Sequence, residues 1–284
     1  MGARRLTTAG AAVLLACTSR FPGATSDASS EGGGVDGGGD AVVFPDAAPL
    51  QDGSPSSPSA VFAHSPDTLY RLDPTTKAVT AVGAFSGCSQ VTDIALDRLS
   101  TMYGTTLDGL YRIDTSTAAC TLVATGKYPN SLSFVPAGTL DPSVEALVGY
   151  VGDQYVRIDV GSGSMTTVGA LGSGYSSSGD IVSVKGGGTF LTVKGGPNAC
   201  SDCLVQVDPK SGGFLMEWGP LGRTDVFGIA FWGGRVYGFD NAGEVFQVDF
   251  SGLAMQITPI AIPSAPPSLQ FFGAGSTTIA PLVQ

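Results

Sequence analysis

The chain has 284 residues, 43% of them hydrophobic but only 13% charged, with 41 glycines; this leaves ample material for a core and excludes a solvated helical protein. A formal charge of −10 excludes the basic stripe that nucleic acid requires, so no nucleic-acid partner is expected. A single histidine excludes histidine-rich zinc or iron centres.

Residues 1–16 read as an address. Arg4 and Arg5 precede the apolar run AGAAVLLA (9–16), which is too short to cross a bilayer as a helix and reads as a signal peptide. The run ends in Leu14-Leu15-Ala16-Cys17, which resembles the lipobox of bacterial lipoproteins. That resemblance implies that Cys17 is lipidated and that the membrane is a partner through this N-terminal lipid. It places the protein in the bacterial cell envelope, facing the periplasm or the cell surface. An ordinary signal peptide cut near Ala24 is the alternative. Residues 17–59, with SSEGGGVDGGGD and DGSPSSPS, hold too little apolar surface to offset the entropy of ordering, so they are expected to form a disordered tether. A flexible chain of that length reaches roughly 35 Å.

From residue 60 to 284 one phrase recurs. LYRLD ends at Asp73, LYRID at Asp114, YVRID at Asp159, LVQVD at Asp208 and VFQVD at Asp249, spaced 41, 45, 49 and 41 residues apart. The second copy shows four strand-like runs: VTDIAL (91–96), TMYGTT (101–106), GLYRI (109–113) and CTLVA (120–124). A period in this range with four strands per copy predicts an all-β, five-bladed β-propeller of four-stranded antiparallel blades. Within GLYRI, Tyr111 and Ile113 share one face and Leu110 and Arg112 the other, as a sheet covered on both sides requires. Each phrase runs into a turn (DPTT, DTST, DVGS, DPKS, DFSG), where Asp accepts a backbone N–H and Pro presets φ for a type I turn. Turn chemistry therefore accounts for all five aspartates. The first copy opens at AVFAH (60–64), which matches a second strand, so its innermost strand is missing. FFGAGSTTIAPLV (271–283) is expected to supply it and close the ring.

These stretches resemble the secreted bacterial β-propeller repeats written LYxIDPxTGxxTxVG, which are similar in shape to NHL and quinoprotein-like propellers. The resemblance covers about 60–284 and speaks to architecture. The fold hosts binding modules, lyases, glycosidases and dehydrogenases alike.

Innermost strands begin around a propeller's channel, and here the starts carry Asp93, Ser131, Asp180 and Gly228, with Asp225 just before the last. Carboxylates around one channel suit a glycosidase pair or a calcium site, or else cap strand ends. Asp93, Tyr175, Asp180 and Asp225, with the enlarged 195–203 loop, form the candidate ligand-binding face. No catalytic residue is assigned. His64 falls where the other copies have Thr105, Tyr150, Val193 and Phe239, and reads as a strand residue; no GxSxG elbow accompanies it. Cys200 and Cys203 (CSDC) have no second CxxC to complete a metal site, and in an oxidising compartment they are expected to form a local disulfide. Cys88 and Cys120 pair by parity, but the repeat places one between blades and the other at the start of an outer strand, which leaves that bridge open. The function expected is a non-enzymatic binding or scaffold module for a protein or glycan. A carbohydrate-active hydrolase or lyase is the alternative. No cofactor is expected, with calcium as the alternative.

Overall fold

The structure is a computed structural model, and it describes residues 61–283 except 253, 264 and 267. The expected signal peptide, Cys17 and the tether lie outside the described residues.

Every regular element among the described residues is a β-strand. The first blade is β1 (Val61–His64), β2 (Thr68–Leu72) and β3 (Val79–Ala84). The second is β4 (Val91–Leu96), β5 (Met102–Thr106), β6 (Gly109–Ile113) and β7 (Cys120–Thr125). The third is β8 (Leu132–Val135), β9 (Ala146–Val151), β10 (Gln154–Ile158) and β11 (Met165–Ala170). The fourth is β12 (Tyr175–Val184), β13 (Gly188–Gly195), β14 (Cys200–Val207) and β15 (Phe214–Pro220). The fifth is β16 (Val226–Trp232), β17 (Arg235–Asp240), β18 (Val245–Ser251) and β19 (Ala254–Ile260). The last strand, β20 (Gly273–Gly275), pairs antiparallel with β1, so the first sheet reads β20-β1-β2-β3. This is a five-bladed β-propeller closed by its C-terminal strand. The inner strands β4, β8, β12, β16 and β20 touch in that order and return to β4.

The alternation seen in sequence builds the ring. Apolar residues collect in five clusters, one at each junction between blades. On β2, Leu69 packs towards the second blade while Tyr70 and Leu72 pack towards the fifth. On β6, Ile113 serves the junction with the first blade and Leu110 the junction with the third. Each such fully buried side chain contributes about 1.5–3 kcal/mol relative to exposure, so every blade depends on both neighbours.

Four of the five recurrent aspartates close their turns as expected. Asp73 Oδ1 accepts N–H bonds from Thr75 (2.8 Å) and Thr76 (3.1 Å), and Asp114 Oδ1 from Ser116 (2.8 Å) and Thr117 (2.9 Å). Asp159 repeats the arrangement, and Asp208 accepts the Lys210 N–H (3.0 Å) on Oδ1 and the Ser211 hydroxyl (2.9 Å) on Oδ2. Each turn ends on a left-handed residue: Lys77, Ala118, Gly163 or Gly212. Asp249 corrects the expectation. It lies inside β18, opposite Gln256, and its carboxylate holds Arg235 and Gln247 instead. The fifth turn comes later, at Gly252 (φ 61°), because the strand pairing continues to Ser251.

Both disulfides are present. Cys200–Cys203 sits where β14 bulges against β13, so that residues only three apart come to a Cα separation of 5.6 Å instead of projecting to opposite faces. Cys88–Cys120 joins the connection between the first two blades to the start of the second blade's outer strand. There Ser86 bridges Ala119, and the Ser86 carbonyl accepts the Cys120 N–H at 2.7 Å.

Candidate functional site

An innermost strand is an edge strand, and its outer N–H groups need acceptors. Side chains of neighbouring inner strands supply them. Asp93 Oδ1 accepts the Ile94 N–H (2.8 Å) and Oδ2 the Leu132 N–H on β8 (2.5 Å). Asp180 repeats this two blades on: Oδ1 accepts the Ile181 N–H (2.6 Å) and Oδ2 the Ile229 N–H on β16 (2.7 Å). Ser133 Oγ accepts the Ser183 N–H (3.1 Å), and Ser276 Oγ the Phe231 N–H (2.9 Å). These four residues lace the inner strands around the axis.

Asp93 and Asp180, predicted from sequence to share a face, meet in this throat, and both are fully buried. Burial pushes both carboxyls well above the usual range. The Asp180 charge pushes Asp93 higher still, and a hydrogen bond between the two raises Asp93 while lowering Asp180.

His64, read from sequence as a strand residue, ends β1 within this throat. It sits on β1 opposite Gly273 of β20 and is fully enclosed. Burial holds its imidazole down from 6.5 to about 4, so the ring is neutral at pH 7. Gly273 has no side chain between His64 and Asp93. A Cβ there would lie 2.4 Å from both His64 Nε2 and Asp93 Oδ1. The available signal was the register: the histidine occupies the last position of a strand directly beside the innermost one, facing a glycine.

Tyr175 lies on the rim of the fourth blade, and Asp225 lies in the connection leading into the fifth. The antiparallel register sets the start of β12 beside the end of β13, pairing Tyr175 with Gly195 at the enlarged loop. The Tyr175 hydroxyl donates to Glu217 Oε2, which also accepts from exposed Asn198 (2.9 Å). Burial and the Glu217 carboxylate push the Tyr175 hydroxyl up to about 12. Cys200 Sγ lies 3.6 Å from Glu217 Oε1. Buried Asp202 accepts from Ser178 Oγ (2.5 Å) and from the backbone N–H groups of Asp225 and Val226, which tacks the Asp225 segment to the loop. Asp225 is exposed, with φ 60°. The four candidate residues thus divide into a buried throat pair and a rim pair. Asn198 and Asp202, from the enlarged loop of the expected face, complete the rim with Glu217, which carries no repeat signature.

No protein-family model matches the chain, and no curated protein matches it. Among solved structures the chain is similar to one from a nidogen/laminin complex, with TM-score 0.47 and 11% identity over 76% of this chain and 97% of that one. It is also similar to a Bacteroides caccae protein of unknown function (TM-score 0.39, 12% identity, 71% and 73% covered). A third is a chain of the mitotic checkpoint complex (TM-score 0.41, 11% identity, 77% and 81% covered).

Proposed function

We propose that the protein is a non-enzymatic binding or scaffold propeller, held outside the cytoplasmic membrane by a lipid on Cys17, that takes a protein or glycan ligand on the fourth-blade rim. One observation carries the binding reading. The carboxyl pair best placed for hydrolysis is fully buried, and all four of its oxygens are engaged by backbone N–H groups. A glycosidase needs its two carboxyls flanking a substrate bond, and these flank inner strands. The rim, by contrast, offers exposed Asn198, on a loop pinned by a disulfide and bonded to half-buried Glu217, and exposed Asp225, on the segment that Asp202 ties to that loop. Irregular loops on a rigid scaffold are where binding groups usually sit. Two disulfides are consistent with an oxidising compartment outside the cytoplasm.

A glycan and peptide array probed with the full chain and with Asn198→Ala/Asp225→Asn tests the ligand face. The reading expects array signals that vanish in the double variant while its melting curve is unchanged. Signals that survive the double variant place the binding face elsewhere, and hydrolysis of any array glycan supports the hydrolase alternative. Intact mass of the membrane fraction tests the anchor. A mature N-terminus downstream of Cys17 removes it.

A further inference from the structure

Cys200 and Cys203 are bridged across only three residues, against 32 for Cys88 and Cys120. A disulfide stabilises a fold mainly by constraining the unfolded chain, and more so for longer loops, so the short bridge contributes the less of the two. Cys200 is half-buried on the rim while Cys203 is buried, which leaves one sulfur of the pair partly open to an attacking thiol. Glu217 stands beside this bridge in an arrangement the bridge does not use. Its Oε2 accepts from the Tyr175 hydroxyl and from Asn198 Nδ2 (2.9 Å), while Oε1 faces Cys200 Sγ at 3.6 Å. A disulfide sulfur has no hydrogen to donate, so Oε1 gains no hydrogen bond there. The two sulfurs and a Glu217 oxygen all lie within 4.8 Å of one another, the only such group of three metal-ligating side chains among the described residues. Around a tetrahedral zinc, with Zn–S about 2.3 Å and Zn–O about 2.1 Å, a sulfur and an oxygen ligand stand about 3.6 Å apart. Oε1 and Cys200 Sγ already have that separation.

We propose that the fourth-blade rim carries a thiol-gated zinc site: reduction of Cys200–Cys203 frees two sulfurs that bind one zinc ion together with Glu217 Oε1. The donor set chooses the metal, because thiolates select zinc over calcium and magnesium, which take oxygen ligands. Three protein ligands leave the fourth position open to water. Tyr175 and Asn198 hold the other carboxylate oxygen, the outer support that orients a ligating carboxylate. The steps balance. A dithiol reductant attacks the bridge, the Cys200–Cys203 bond breaks, a disulfide forms within the reductant, and two electrons and two protons pass to the cysteines. Zinc then enters and displaces the two thiol protons. Bridged sulfurs are bonded to each other and cannot act as thiolates, so the disulfide is the closed state of the site. CSDC has no second CxxC in the sequence, and the third donor comes instead from β15, which pairs with β14. The site depends neither on the lipid anchor nor on the protein or glycan that the rim takes.

The full chain is reduced with dithiothreitol, desalted without oxygen and titrated with zinc against a chromophoric chelator, beside the untreated protein. The proposal expects one zinc ion in the reduced protein that the untreated protein does not hold, with two sulfurs at about 2.3 Å by X-ray absorption. Reoxidation should release it. Cys200→Ser/Cys203→Ser should lose the ion, and Glu217→Gln should weaken its binding by about 10–100-fold, the scale on which even a supporting group matters. A reduced protein that takes up no zinc overturns the proposal. So does a zinc ion that the double serine variant retains, or an affinity unchanged in Glu217→Gln. Where the double variant fails to fold, alkylation of the wild-type chain decides the same point. Zinc should protect Cys200 and Cys203 of the reduced protein from iodoacetamide, read by peptide mass, and equal labelling with and without zinc would sink the proposal.

Discussion

The throat aspartates and the turn aspartates make nearly the same hydrogen bonds and titrate in opposite directions. Asp114 and Asp159 each accept two backbone N–H bonds, and so do Asp93 and Asp180. On the surface those bonds, with a serine hydroxyl added, pull Asp114 down to about 2. In the throat, desolvation outweighs two equally short bonds and both carboxyls go up. A carboxylate's partners do not set its charge state until its exposure is known.

The largest expected effect comes from removing the wall that makes the throat. Deleting 271–284 takes away β20, with buried Phe271 and Ala274 from the junction of the first and fifth blades, and opens the ring. Neighbour-dependent blades should then lose cooperative folding altogether. A melting curve by circular dichroism that matches the parent would show that β20 is not part of the ring.

Next in size, Asp180→Ala leaves the Ile181 and Ile229 N–H groups buried without an acceptor, at about 1–3 kcal/mol for each. Asp159→Ala removes as many bonds from an exposed turn, where water replaces them, and should lower the melting temperature far less. Equal losses in urea unfolding would break the distinction between buried and exposed acceptors.

The two classes should also separate in pH. The turn carboxyls have depressed folded values, so the stability they confer is present above the unfolded value of about 3.9 and is lost as pH falls through about 2 for Asp114. The throat pair has raised folded values. Its contribution is complete below about 3.9 and is lost as pH rises through those values. Denaturation of the protein across pH should show both limbs, and Asp180→Asn should flatten only the upper one. An unchanged upper limb in that variant would assign it to other groups.

Smallest of all, Asp225→Asn exchanges an exposed side chain at a left-handed position that Asn also tolerates. Its effect on stability should stay within about 0.5 kcal/mol. A larger loss would mean that the rim, like the throat, is structural.

The sequence by itself determined the architecture. The Asp-terminated phrase, the alternation in GLYRI and the orphan FFGAG run depend on strand periodicity and turn chemistry, which are local, and they correctly implied five blades closed by the C-terminus. Four of the five aspartate turns followed for the same reason. Asp249 escaped because strand pairing, a two-strand property, outran the turn signal. What only the tertiary structure decided is the meaning of the polar residues. Tertiary pairing brought Cys88 to Cys120, and ring closure brought His64 beside Asp93 across Gly273 and Asp93 to Asp180. Burial there, which no single repeat can express, reversed the direction in which the aspartates titrate.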